Sequence, residues 1–492
     1  MEKVDLMVIG SGPAGQRAAI QAAKLGKNVL IAEKQQVLGG VCTNTGTIPS
    51  KTLREAIIHF TGLRHRAVYG RSFQIKHDLS FADLKQRVSR VVAHENEVAR
   101  SRLLRTGVDI AYGTASFEGP NIVGIDTMNG RRLVEARKIL ISVGTIPYLA
   151  DRVPFNGRTI IDTDTMFGDD FSLETMPRSM LIIGAGVIGT EYACMFSALG
   201  VDVRLLDRRT ELFRFIDREI CDALTYHMRD ERVTLYMGKD FTSVETDAHG
   251  HVVTTLENGR VIKTDMLMFA SGRSGATQGL NLEAAGLETN SRGLIDVNDN
   301  LQTSVPHIYA AGDIVGFPAL ASTSMEQGRL AACHAFGVPF FSDNELLPYG
   351  IYTIPEISMV GKTEHELSEE AVPFEIGIAR YREVAKGQIM GDESGMLKLI
   401  FHQKTGRLLG VHIMGDGASE LLHIGQAVMA FSGSISYFVD TVFNYPTLAE
   451  AYKIAALNGL KRLQAHGQGE PAKTKEPAVQ NSPPPRAPSD ES

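Results

Sequence analysis

Two stretches of this chain repeat one pattern, and the repeat limits the fold more than any other feature. Val4 to Gly10 is a short apolar run, and Gly10, Gly12 and Gly15 form Gly-x-Gly-x-x-Gly. An alanine-rich helical stretch to Leu25 follows, then a second apolar run, Asn28 to Ala32, that ends at Glu33. The same order recurs from Met180, with Gly184, Gly186 and Gly189, a helical stretch to Leu199, and Val201 to Leu206 ending at Asp207. In both copies 23 positions separate the first glycine from the acid. Apolar runs of this length alternating with helical stretches predict βαβ units and parallel sheets.

One such motif is a weak signal in a chain with 48 glycines. Two copies, each between strand and helix and each followed at the same distance by an acid, specify dinucleotide binding. The first glycine makes the tight turn and the second lets the backbone approach a pyrophosphate. The third lets helix and strand pack closely, with the helix N-terminus facing the anion. Glu33 and Asp207 stand where a carboxylate accepts a hydrogen bond from a ribose 2′-hydroxyl. Lys34 follows the first acid, and Arg208 and Arg209 follow the second. Arginines there suit a 2′-phosphate, which an acid repels, so the second site carries parts for both NAD and NADP. The other reading of this arginine pair is solvated surface charge.

Val108 to Phe117 and Arg132 to Val143 read as further strands of the first unit, and Val233 to Asp265 as strands and turns completing the second. From about Pro348 the pattern changes. Met396 to Phe401 and Leu408 to Met414 alternate as strands before the helical stretch Ser419 to Ala430, which marks a third, α+β unit. Residues 463–492 are rich in Pro, Ser and charge without apolar periodicity, so a disordered tail is expected.

A chain of 492 residues needs several domains rather than one core. Its formal charge of −7 supplies no basic field for nucleic acid or an anionic membrane. Cys42, Cys194, Cys221 and Cys333 contain no C-x-x-C pair. That excludes a disulfide framework, argues against a zinc or other metal centre, and fits a reducing, cytoplasmic compartment. The first residues read as a strand rather than a signal peptide. The apolar run Met180 to Val201 holds four glycines and Glu191, which argues against a membrane span.

Between the two glycine motifs, residues 39–51 read GGVCTNTGTIPSK. Together with both motifs, SVGTIP at Ser142 to Pro147 and IYAAGD at Ile308 to Asp313, this segment makes residues 3–462 resemble the pyridine nucleotide-disulfide oxidoreductases. That is the family of glutathione reductase and dihydrolipoyl dehydrogenase, in which a G-G-x-C-x-x-x-x-C-x-x-x-K pattern presents a redox disulfide to a flavin. The resemblance implies FAD in the first cradle, with Gly40, Cys42 and Gly144 beside it. It implies Asp313 on the ribityl chain, and Lys51 near the reactive flavin nitrogen, paired with Glu191. It also implies a nicotinamide nucleotide in the second cradle, with Gly272 among its contacts.

Two departures matter more than the match. The second cysteine position holds Thr47, and a hydroxyl cannot close a disulfide. The family's His-Pro-Thr-x-x-Glu element reads Tyr445-Pro-Thr-Leu-Ala-Glu450 here. A tyrosine, with an ordinary pKa of about 10, is poorly suited to shuttle thiol protons at neutral pH. By the resemblance, Tyr445 and Glu450 would reach the partner subunit's flavin across a dimer interface.

The expected fold is therefore α/β, with two Rossmann-like dinucleotide-binding domains and a C-terminal α+β dimerisation domain. The FAD domain would take residues 1–150 and 275–345, the NAD(P) domain 151–274, the interface domain 346–462 and the tail 463–492. Without a dithiol, hydride taken up at FAD can return to a second nucleotide. The resemblance thus implies NADPH + NAD⁺ ⇌ NADP⁺ + NADH by a ping-pong course, in a homodimer or larger homo-oligomer. Rival readings on the same scaffold are a quinone or oxygen reductase and a dihydrolipoyl dehydrogenase-like protein. A non-catalytic redox sensor is a rival of another class. Cys42 either gains a lowered pKa by starting a helix, as a single-cysteine peroxidase or relay would need, or is a bystander. Lys51 and Glu191 either tune the flavin or form a structural ion pair. His412 and His423 read as structural, and the other three cysteines as buried fillers.

Overall fold

The computed structural model describes residues 1–70, 72–76, 78–168, 171–173, 175–339 and 346–465. Its first sheet runs in the order Asp109–Tyr112, Val29–Glu33, Glu2–Ile9, Gly130–Ile141, Ile122–Thr127, Thr114–Gly119. The first four of these strands pair in parallel and the last two are antiparallel. Ile308–Ala310 adds a short parallel strand to the end of Gly130–Ile141. Strands covered on both faces must be largely apolar, as Val29–Glu33 is up to its terminal Glu33, with every residue buried. The run Val108 to Phe117, expected as one strand, is two. They break at Gly113 and continue at opposite edges of the sheet. A side chain at Gly113 would stand 2.5 Å from the Asp126 carbonyl oxygen.

The second sheet is wholly parallel, in the order Thr234–Met237, Asp202–Asp207, Ser179–Ile183, Met266–Phe269, Ile160–Asp162. Residues 241–264, read as strands and turns completing this unit, do not join that sheet. They form a separate antiparallel sheet of three strands, Phe241–Thr246, Val252–Leu256 and Val261–Thr264. The alternating burial of Val252–Leu256 explains this, because only one face is covered. Thr145–Pro147 and Arg273–Gly275 pair as the two-stranded joint between the units.

The third unit is a five-stranded antiparallel sheet in the order Tyr349–Ile351, Ile357–Gly361, Leu408–Met414, Met396–His402, Phe374–Arg380. The helices Ala418–Ala430 and Glu450–Ala465 pack on it. The last helix runs through Ala465 and buries Leu463, so the tail expected from 463 begins no earlier than 466. The rest of that expectation lies outside the described residues.

A buried cation ties the third unit to the second. Lys398 is fully buried, 2.8 Å from Asp217 and 3.2 Å from Glu219, and it also pairs with Glu364. Asp217 and Glu219 lie at the start of the helix Arg218–Asp230. Burial alone would lower the Lys398 pKa, but the surrounding carboxylates raise it, so the ammonium stays charged. Among the described residues no helix is long and apolar enough to cross a membrane.

Candidate functional site

The first cradle is built by close backbone contacts. Gly10 has φ +100°, and a side chain there would meet the Ser142 carbonyl oxygen at 2.5 Å. A side chain at Gly15 would lie 2.0 Å from the Gly10 carbonyl oxygen, whereas one at Gly12 would meet nothing closer than 4.0 Å. The two outer glycines are therefore needed for packing, and the middle one faces open space above the start of the helix Pro13–Lys24. That helix has no side-chain cap, so its first N–H groups are free to bind an anion. Glu33 is buried. Its Oε2 accepts from the Ser11 N–H and hydroxyl at 3.0 and 2.7 Å, and its Oε1 accepts from the Gln35 N–H at 2.9 Å. A carboxylate has about four acceptor positions, so one is left for a ribose hydroxyl. Lys34 is exposed at the rim.

The second cradle repeats these contacts. Gly184 has φ +110° and lies against the Ala270 carbonyl, and a side chain at Gly189 would meet the Gly184 carbonyl oxygen at 1.9 Å. Gly186 faces open space, and the nearest atom to a side chain there would be Nη2 of Arg209 at 4.0 Å. Oδ2 of Asp207 accepts from the Ala185 N–H at 2.6 Å and from Arg209 Nη2 at 2.7 Å. Oδ1 accepts from the Arg209 N–H and Nε at 2.8 and 3.0 Å. Burial alone would raise the Asp207 pKa, but these bonds from Arg209 and Ala185 outweigh it and hold the carboxyl below its usual range. Arg208 is exposed, 3.9 Å from Asp240.

Between the cradles, Gly39 and Gly40 have φ +93° and +57° and turn the chain into the short helix Gly40–Asn44, which carries Cys42. Thr47 opens the next helix, Thr47–Phe60. Burial pushes the Cys42 thiol up, against the opposing pull of a hydrogen bond with the Thr47 side chain. That direction speaks against the first of the two readings of Cys42 and agrees with the bystander, because so short a helix does not offset desolvation. One turn on, Lys51 Nζ lies 2.6 Å from Glu191 Oε2 and 5.0 Å from the ring centre of Tyr352. Glu191 is buried in the helix that starts at the second cradle, and its other oxygen accepts from the Tyr352 N–H at 2.8 Å. Asp313 follows the strand Ile308–Ala310. Burial raises its pKa, against the charge of Arg273 and a hydrogen bond from Ser324.

One continuous cleft of about 1880 Å³ joins all of these groups. Gly144 and Gly272 line it on either side of the two-stranded joint. His423, read as structural, also lines the cleft, whereas His412 is fully buried with its ring on the Lys362 carbonyl. Cys221 is only partly buried. Tyr445 and Glu450 do not line the cleft. Tyr445 is 73% exposed on the surface of the third unit, near Val442 in sequence, which is also exposed.

Sequence reasoning missed Arg273, which grips Asp164 through two bonds of 2.8 and 3.0 Å and the Thr145 carbonyl at 2.8 Å. The repeat offered a signal for it. Ser142-Val-Gly144 and Ala270-Ser-Gly272 close the two cradles in the same way, and Arg273 comes next. Tyr352 left no such trace.

Residues 4–328 match the family described as pyridine nucleotide-disulphide oxidoreductase, and residues 347–456 match its dimerisation domain. The chain belongs to the pyridine nucleotide-disulphide oxidoreductase family. Within this family, a protein of Mycobacterium bovis (strain BCG / Pasteur 1173P2) called soluble pyridine nucleotide transhydrogenase is 49% identical over 95% of this chain and 99% of its own length. A protein of the same name from Marinomonas sp. (strain MWYL1) is 44% identical over 93% of this chain and 98% of its own. Among solved structures, the HOCl-induced flavoprotein disulfide reductase RclA from Escherichia coli is 26% identical. It covers 92% of this chain and 99% of its own, with a TM-score of 0.82. LpdA from Mycobacterium tuberculosis, at 24% identity and a TM-score of 0.84 over 92% of this chain and 99% of its own, shares the fold. Family membership carries the α/β architecture with two dinucleotide cradles.

Proposed function

We propose that this chain transfers hydride between NADPH and NAD⁺ through FAD, in two half-reactions, without a redox disulfide. The observation that carries the proposal is the Cys42–Thr47 contact: a thiol and a hydroxyl lie side by side where a disulfide would need two sulfurs, and all four cysteines are free. The name shared by relatives at 44–49% identity supports the same reading. Four free cysteines also fit a reducing cytoplasm.

The first cradle and Asp313 fit FAD, because Gly12 leaves space above free N–H groups and Glu33 keeps an acceptor position. The second cradle fits a nicotinamide nucleotide through its backbone, because Gly186 leaves space above the uncapped start of the helix Val187–Ala198. FAD residues would fall in 1–150 and 275–345, nicotinamide residues in 151–274 and interface residues in 346–462. FAD, when bound, accepts and gives up the hydride. The protein's own part is orientation and electrostatics. Lys51 presents a cation beside the cleft, and Glu191 fixes its position from the helix of the second cradle. Partial burial of Cys42 pushes its thiol up, which disfavours the thiolate. A second copy of the chain would cover the exposed apolar surface that includes Val442 and Tyr445.

Anaerobic titration with NADPH should bleach the flavin without a long-wavelength thiolate band. Stopped-flow mixing of the reduced enzyme with NAD⁺ should reoxidise it quickly. Reoxidation by a quinone but not by NAD⁺ would reject the proposal.

A further inference from the structure

The two acids that end the second strand of each cradle are not in the same state. Glu33 keeps an acceptor position, whereas all four acceptor positions of Asp207 are taken. Two of these four come from the Arg209 guanidinium, which also lies 4.0 Å from where a side chain on Gly186 would project. The guanidinium thus sits over the cradle on the oxygens that a ribose 2′-hydroxyl would use. Its contacts are to Asp207 alone among the hydrogen bonds and ion pairs of the described residues. Arg209 is 44% exposed, so its tip can leave without unpacking a core.

We propose that Asp207 and Arg209 form an exchangeable pair that lets one cradle take both NAD(H) and NADP(H). In the free protein the guanidinium stands in for the ribose hydroxyl on Asp207. A 2′-phosphate draws it away, because a guanidinium binds a dianion through two charge-assisted bonds. The guanidinium then stands between the 2′-phosphate and the Asp207 carboxylate and screens one anion from the other. A 2′-hydroxyl competes with the guanidinium for Asp207 and releases it to solvent. Arg209 therefore opposes one nucleotide and favours the other, and neither residue alone sets the preference. Exposed Arg208 and Lys239 line the same rim and add positive field in both states.

This inference rests on the proposed use of two nucleotides, but its test is made on binding. The FAD-loaded protein is titrated calorimetrically with adenosine 5′-monophosphate and with adenosine 2′,5′-bisphosphate, for wild type, Arg209→Ala, Asp207→Asn and the double variant. Arg209→Ala should weaken the bisphosphate by at least about tenfold and tighten the monophosphate by about threefold. Asp207→Asn should tighten the bisphosphate about tenfold when Arg209 is present, by freeing the guanidinium, and by a smaller factor when it is absent, through relieved repulsion alone. Retained flavin absorbance establishes that each variant is folded, and Arg209→Lys gives a second reading should the alanine variant lose it. Weakening of both ligands alike by Arg209→Ala would overturn the exchange, leaving Arg209 as a general positive charge. So would an equal gain from Asp207→Asn in both backgrounds, which is simple repulsion. The predicted binding pattern in an enzyme that cannot reoxidise with NAD⁺ would leave the exchange standing and reject the hydride-transfer reading. A flat cycle in an active transhydrogenase would do the reverse.

Discussion

The two cradles share a backbone, yet they are closed by different means. The first is roofed by main chain. Gly39 donates its N–H to the Ser11 carbonyl at 3.2 Å, and a side chain at Gly40 would stand 3.2 Å from Gly12. Its helix is braced from behind by the helix Ala321–Ala335, where Gly328 allows no side chain within 2.0 Å of the Ala14 carbonyl oxygen. Over the second cradle lies a long, half-exposed arginine side chain. Main chain held by packing cannot move without cost, whereas a side chain tip changes rotamer in nanoseconds. The first cradle is thereby suited to a resident cofactor, and the second to a nucleotide that comes and goes.

The sharpest way to break this comparison is to put the same clash into both cradles. Gly15→Ala and Gly189→Ala each place a methyl within about 2 Å of a carbonyl oxygen. The first variant should purify without flavin and lose activity by more than about a hundredfold. The second should keep its yellow colour and show a rise of about tenfold in the KM for NADPH. Flavin absorbance per chain and steady-state kinetics measure both, and equal flavin loss from the two variants would erase the distinction.

A smaller effect is expected at the ion pair that links the cradles. Lys51→Met removes the cation and leaves the buried Glu191 carboxylate without it. Flavin reduction at saturating NADPH should slow by about 10- to 100-fold, and stability should fall by about 3 kcal/mol. Stopped-flow absorbance reads the first effect and urea unfolding the second. Lost stability with an unchanged rate would make the pair purely structural.

The smallest effect concerns two histidines whose pKa is lowered by burial, His412 in the third unit and His227 on the helix Arg218–Asp230 of the second. His412 is buried beside the Lys398–Asp217 pair. Burial lowers its pKa, partly offset by the charge of Asp217 and the Lys362 carbonyl. His227, on that helix, is lowered by burial as well. Below about pH 6.5 the unfolded chain binds protons that the native state refuses, so stability falls as pH drops, by up to about 1.4 kcal/mol per unit for each group. Urea midpoints at pH 7.5 and 5.5 should differ less in His412→Gln than in wild type. An unchanged difference would remove His412 from the acid response.

The sequence alone determined the two cradles, their equal spacing, the strand-by-helix order and the missing second sulfur at Thr47. Each of these is a local matter of glycine placement, apolar period or residue identity, which the chain writes in order. It also held signals that went unread. The capping box at Ser80 and Asp83 opens the 25-residue helix Phe81–Arg105, which lines the cleft. Only the tertiary structure decided which side chains share a partner. It split residues 109–119 across two edges of one sheet. It set Lys398 among three carboxylates from two distant parts of the chain, and it placed Arg273 on Asp164. It also laid Arg209 on Asp207 instead of in solvent. Such choices depend on distance through space and on burial, and a charged residue's letter carries neither until the chain has folded.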